Sequence, residues 1–177
     1  MYGAKELAEG FDTVRKNTIQ IAQDIPAEKY GFKAAADVKS VGEVLAHLAV
    51  SPRWQIDLHT ERVAAVDFSL FGARLGRAAA EEKALRTKDQ IVAALEEGRG
   101  QFVSFLAGLT PELLAETITF PPPLQPSIKT RLEMLLGVKE HEMHHRGQLM
   151  LIERILGIVP HLTRRREAFV AQLQAQS

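Results

Sequence analysis

Apolar residues recur every three or four positions through four long stretches of the chain, the spacing that gives a helix one inward face. The first stretch, about Ala4 to Ala22, places Leu7, Phe11, Val14, Ile19 and Ile21 on that face, and Pro26 closes it before a connector containing Tyr30-Gly31-Phe32. The second opens at Ser40 with Glu43 three residues on, the pattern of a capping box, and carries Val41, Val44, Leu45, Leu48, Trp54 and Leu58. Pro52 lies inside it and cannot donate to the Leu48 carbonyl, so a kink is predicted there. The third starts at a second box, Thr87-Lys88-Asp89-Gln90, and runs through Ile91, Leu95, Phe102 and Leu106 to Gly108. The fourth spans about Ser127 to Leu156, with Met134, Val138, His141, His145, Leu149, Ile152 and Leu156 as one inward stripe and Gly157 as its stop. A shorter helix is predicted over Arg165–Leu173.

Two connections are long. Residues 66–86 join the second and third helices, and residues 110–126 join the third and fourth through Pro121-Pro122-Pro123. Thr117-Ile118-Thr119-Phe120 reads as a short extended piece, but strand-like runs are too few to predict a sheet. Loops of this length often roof a site held by a rigid scaffold. The pattern predicts one all-α domain over residues 1–177, a bundle of four principal helices.

Composition narrows the function. A chain of 177 residues buries a core without disulfides or a structural metal, so any metal site tilts toward chemistry. Cysteine is absent, which removes thiolate ligands and cysteine nucleophiles. Lys+Arg and Asp+Glu stand at 22 each, against the basic surplus of a nucleic-acid binder. Arg164-Arg165-Arg166 reads as a solvated helix face rather than a phosphate track. The N-terminus lacks a signal-peptide pattern and no run is long enough to span a membrane. The expectation is a neutral cytoplasmic protein with neither a nucleic-acid nor a membrane partner.

The candidate chemistry lies in His141-Glu142-Met143-His144-His145-Arg146-Gly147-Gln148. His141 and His145 are one helical turn apart on the inward stripe, where two imidazoles can share one ion. A lone histidine there is usually a hydrogen-bonded core residue, but two such rings packed together need a reason beyond packing. His47, amid small and apolar residues of the facing second helix, is the candidate third ligand. His144 falls about 60° off the stripe at 100° per residue and suits a flanking, supporting role. His59 and His161 read as surface residues. His141-Glu142-Met143-His144-His145 also satisfies the His-Glu-x-x-His pattern of zinc peptidases, with Glu142 as the acid and Glu153 or His161 as downstream ligand. Against it, the chain offers no strand to hold a peptide.

Ala46-His47-Leu48-Ala49, His141-x-x-x-His145-Arg146-Gly147-Gln148-Leu149 and Gly157-Ile158-Val159-Pro160 resemble the DinB-like family of metal-binding four-helix bundles, over most of the chain. The resemblance implies an up-down-down-up bundle with a long crossover between helices two and three. It also implies a divalent ion held by His47, His141 and His145, and a homodimer. Members include thiol-dependent transferases. Pro52, close after His47, departs from the pattern and puts the His47 ring position in question.

Three neutral imidazoles leave an ion open positions, so a bound water or a low-molecular-weight thiol would be acidified. Zinc suits three nitrogens plus water; nickel or iron suits a larger sphere. Glu43, one turn before His47, is a candidate to orient that ring, beside its capping role, and His144 and Gln148 are candidates to support the ligand pair. Trp54 is a candidate pocket wall. The leading expectation is a metal-dependent thiol-transferase or hydrolase acting on a small molecule. The alternative is a non-catalytic metal-binding stress-response bundle working through a dimer surface.

Overall fold

A computed structural model describes residues 2–176. Helix α1 spans Ala4–Asp24, α2 Val41–Val50, α3 Arg53–Thr60, α4 Phe68–Ala84, α5 Lys88–Ala107, α6 Pro111–Ala115, α7 Arg131–Ile155 and α8 His161–Ala175, with strands β1 at Thr117–Thr119 and β2 at Ile128–Thr130. Both predicted capping boxes form. Ser40 Oγ accepts from Glu43 N at 3.2 Å while Glu43 Oε2 accepts from Ser40 N at 2.7 Å, and Thr87 pairs likewise with Gln90.

Contacts along the helices fix the topology. Lys88 at the start of α5 donates to the Gln23 and Ile25 carbonyls at the end of α1, while Arg99 meets Asp12, so α1 and α5 are antiparallel. Lys139 lies against Gly10 and Glu142 meets Arg15, so α1 and α7 run the same way. Val41 and Leu45 pack with Ile91 and Leu95, and Ala49 lies against Gly98, so α2 parallels α5. The order α1, α2, α5, α7 is therefore up-down-down-up. Gly98 permits the close α2–α5 approach, because a Cβ there would meet the Ala49 carbonyl oxygen at 3.3 Å.

The apolar core falls into two main clusters. One gathers Ile21, Ile25, Val41, Leu45, Ile91, Leu95 and Leu149. The other gathers Leu7, Phe11, Phe102, Leu106 and Leu135, with Phe11 and Phe102 edge to face at 4.7 Å. The guanidinium of Arg15 links all four helices. It is wholly buried and binds Glu142 bidentately at 2.7 and 2.8 Å, and it also donates to the Leu48 carbonyl at 2.7 Å and the Leu95 carbonyl at 3.4 Å. The Leu48 carbonyl needs that donor, since its helical partner would be Pro52, which has no N–H. Proline thus does more than kink the second helix: it ends α2 at Val50, and α3 restarts at Arg53.

The structure departs from expectation in the connections. Residues 66–86, expected to be irregular, contain the 17-residue helix α4, capped by Asp67 Oδ1 on Leu70 N at 2.7 Å. It has no fully buried residue, and Phe68 and Leu75 remain exposed. Gly72 and Gly76 lower its intrinsic propensity further. The fourth helix begins at Arg131 rather than Ser127, because Ile128–Thr130 pairs antiparallel with Thr117–Thr119. A sheet was not expected; three-residue strands are too short to show alternation. This ribbon is held by Ile118, buried against Leu58, Val66 and Met134. At the far end of α7, Gly157 adopts φ 79° and Ile158 N bonds the Glu153 carbonyl at 2.8 Å, so the predicted stop forms. The predicted last helix starts earlier, at His161, and its arginines 164–166 are exposed. No helix among the described residues is long and apolar enough to cross a membrane.

Candidate metal centre

His47 lies in the last turn of α2, and His141 and His145 lie on the face of α7 opposite it. Their rings meet at centroid distances of 5.0 Å (His47–His141), 5.4 Å (His47–His145) and 4.7 Å (His141–His145). One ring nitrogen from each lies within 4.8 Å of the others. His47 Nε2 and His141 Nε2 are 3.1 Å apart. Two nitrogens sharing one ion at about 2.0–2.1 Å would stand roughly 3 Å apart, so the donor set fits a divalent cation. Pro52 does not displace the His47 ring.

Hydrogen bonds decide which nitrogens face inward. Glu82 Oε1 lies 2.7 Å from His47 Nδ1, and Gln148 Oε1 lies 2.8 Å from His145 Nδ1. With Nδ1–H donated outward in both rings, each Nε2 keeps its lone pair for the centre, the arrangement typical of metal-bound histidine. Gln148 Nε2 in turn donates to His144 Nε2 at 3.0 Å, so His144 stays exposed and supports the pair through Gln148. Burial, then the neighbouring imidazoles, pushes His141 down to about 4. Burial also lowers His145, outweighing the Gln148 hydrogen bond. Both rings are therefore neutral, as ligation requires.

Glu82 replaces Glu43 in the orienting role. Glu43 is occupied at the α2 cap, where the Ser40 backbone hydrogen bond holds its carboxyl below the usual range. Glu82, bridged between His47 and Lys39 at 3.2 Å, is also held low: burial alone would raise it, but the His47 and Lys39 contacts prevail. Its signal in the sequence was one acid in the run Glu81-Glu82-Lys83, indistinguishable from a solvated helix face.

Other expectations fail on burial. His59, expected at the surface, is 1% exposed and bonded to Gln55 and Arg131. His161, also expected there, is buried and bonded to Asn17. Glu142 does not face the centre; it is 1% exposed and fully engaged by Arg15, so it cannot serve as a peptidase acid. Glu153 and His161 stand apart from the three histidines, which removes the downstream ligand as well. Glu153 is sealed in without a hydrogen-bond partner among the described residues, and burial with Asp24 nearby raises it to about 7.

Two cavities flank His47. One, of about 340 Å³, is lined by His47, Trp54, Gln55, Phe120, Met134 and His141 among others. The other, of about 450 Å³, lies against α4 and has Trp54, Phe71 and Leu75 on its walls. Trp54 thus borders both, as anticipated.

A family model described as the DinB superfamily matches residues 10–149. Among solved structures, the chain is similar to a DinB-like protein, YjoA, from Bacillus subtilis, with a TM-score of 0.62 at 21% identity over 86% of this chain and 92% of that one. It is also similar to YfiT from Bacillus subtilis, described as "a probable metal-dependent hydrolase with an unusual four-helix bundle topology", with a TM-score of 0.68 at 16% identity over 88% of each chain. No curated protein matches by sequence.

Proposed function

The chain belongs to the DinB superfamily, and from that premise we propose that it is a divalent-metal-dependent hydrolase acting on a small molecule, with His47, His141 and His145 as its metal ligands. The observation that carries the reading is the convergence of three histidine ring nitrogens beside an open cavity. Three histidines leave an ion room for water and substrate, as catalytic centres require. A divalent ion held there supplies Lewis acidity and acidifies water, or a low-molecular-weight thiol, toward neutral pH. The chain's own residues do the positioning. Glu82 and Gln148 fix two rings through Nδ1, and burial keeps His141 and His145 unprotonated. Phe120, Met134 and Val138 give the cavity an apolar wall.

Zinc fits this donor set, and nickel or ferrous iron fits with further water. The description of YfiT favours hydrolysis over the thiol transfer that the resemblance implies. The two separate on whether turnover requires added thiol. A cytoplasmic homodimer is part of the same reading. Metal analysis of protein purified without a nickel column tests the core of it. One bound divalent ion per chain is expected, lost in His141→Ala and His145→Ala; protein that neither carries nor takes up an ion overturns the proposal.

A further inference from the structure

Behind the cavity at His47 and His141 runs a buried polar chain. Arg131 Nε donates to Glu116 Oε2 at 2.9 Å, Arg131 Nη1 lies 3.1 Å from His59 Nδ1, and His59 Nε2 lies 3.1 Å from Gln55 Oε1. Arg131, His59 and Gln55 are all buried. The proton positions follow from chemistry. A guanidinium only donates, so His59 Nδ1 must accept. Burial and the Arg131 charge hold His59 down at about 4, so the ring is neutral and its one N–H is on Nε2. That N–H donates to an oxygen, which settles the two ends of the Gln55 amide from the network itself. Its oxygen is committed to His59. Its NH2 group has no acceptor among the described residues, and Gln55 lines the cavity shared by His47 and His141.

A purely structural role accounts for part of this chain. Arg131 also donates to the Val63 carbonyl at 3.0 Å, tying α7 to the segment after α3. The Gln55 oxygen is structural too, because an apolar residue there would strand the buried His59 N–H; the NH2 group at the other end of the amide has no such task, on a side chain that lines the cavity. We propose that Gln55 is a substrate-binding residue, its amide turned to the cavity by His59 and Arg131 so that N–H meets a carbonyl oxygen of the substrate. The inference rests on the metal-hydrolase reading and narrows its substrate to small carboxylic esters or amides. His59 and Arg131 are positioning residues, acting through Gln55.

The test uses cobalt-loaded protein and acetohydroxamate, a carbonyl compound whose binding is read from the cobalt absorption bands. Gln55→Met removes the donor; Gln55→Glu keeps the oxygen that His59 needs but replaces the donor with an acceptor. Both should bind acetohydroxamate on the order of ten- to a hundred-fold more weakly than wild type, and Gln55→Met should retain wild-type cobalt affinity. His59→Phe should weaken binding as well, and its effect should largely vanish in the Gln55→Met background, whereas a merely structural role would add to it. Wild-type hydroxamate affinity in both Gln55 variants, or no hydroxamate binding by cobalt-loaded wild type, overturns the proposal. Failure of wild type to take up cobalt is a separate result and overturns the metal reading beneath it.

Discussion

The Arg15–Glu142 pair permits a prediction that separates a structural carboxylate from a catalytic one. Both side chains are buried to 1% exposure or less, with two N–H···O contacts at 2.7 and 2.8 Å. Removing one partner strands the other charge, so Arg15→Met and Glu142→Leu should each cost about 3–5 kcal/mol. Removing both leaves no charge behind. The Leu95 carbonyl retains Arg99 as its helical donor, but the Leu48 carbonyl faces Pro52 and loses its only strong donor. That orphaned carbonyl costs about 1–3 kcal/mol, so the double variant should be more stable than either single one. Adding Pro52→Ala to the double variant supplies an N–H at that position and should recover part of the remaining loss. Urea unfolding followed by circular dichroism measures all four variants. A double variant as unstable as the sum of the singles refutes the argument. So does a Glu142→Leu protein of wild-type stability that has lost only activity, the behaviour expected of a peptidase acid.

Three further outcomes follow from the same geometry. Glu82→Ala should lower metal affinity about 10- to 100-fold by freeing the His47 ring, with unfolding little changed; competition against a chromogenic chelator checks it. His144→Ala, altering only an exposed ring behind Gln148, should retain the bound ion that His145→Ala loses, as metal content will show. In metal-free protein, His59 sits at about 4 because burial, and then the Arg131 charge, disfavour its protonation. Between about pH 6.5 and pH 4 the unfolded chain therefore takes up a proton that the folded chain refuses. Stability should fall with falling pH through that window, by up to about 3 kcal/mol from this group. His59→Phe should flatten the slope of urea midpoint against pH, and an unchanged slope would count against the buried assignment.

Legibility in the sequence followed burial. The long helices were readable because each buries a continuous apolar face: the positions from Met134 to Leu156 fell inward as spaced, carrying His141 and His145 with them. The capping boxes at Ser40 and Thr87 were readable because capping is local chemistry between residues three apart. Helix α4 was not, because it buries no residue completely and its two glycines read as part of a connector. The misplaced residues share one cause. His59 sits among Asp57, Thr60, Glu61 and Arg62, which look like solvent-facing neighbours, yet α3 packs so that His59 stacks on Phe105 and meets Arg131 from a helix 72 residues away.

By itself, the sequence determined the four helices, the pair of histidines on one face and the third on another. Periodicity within a segment is enough for that. Only the tertiary structure decided that Glu82, not Glu43, holds His47, that Glu142 belongs to Arg15, and that Gln55 lines the cavity beside His47 and His141. Each of these depends on which helix lies beside which, and no spacing along a single helix encodes that.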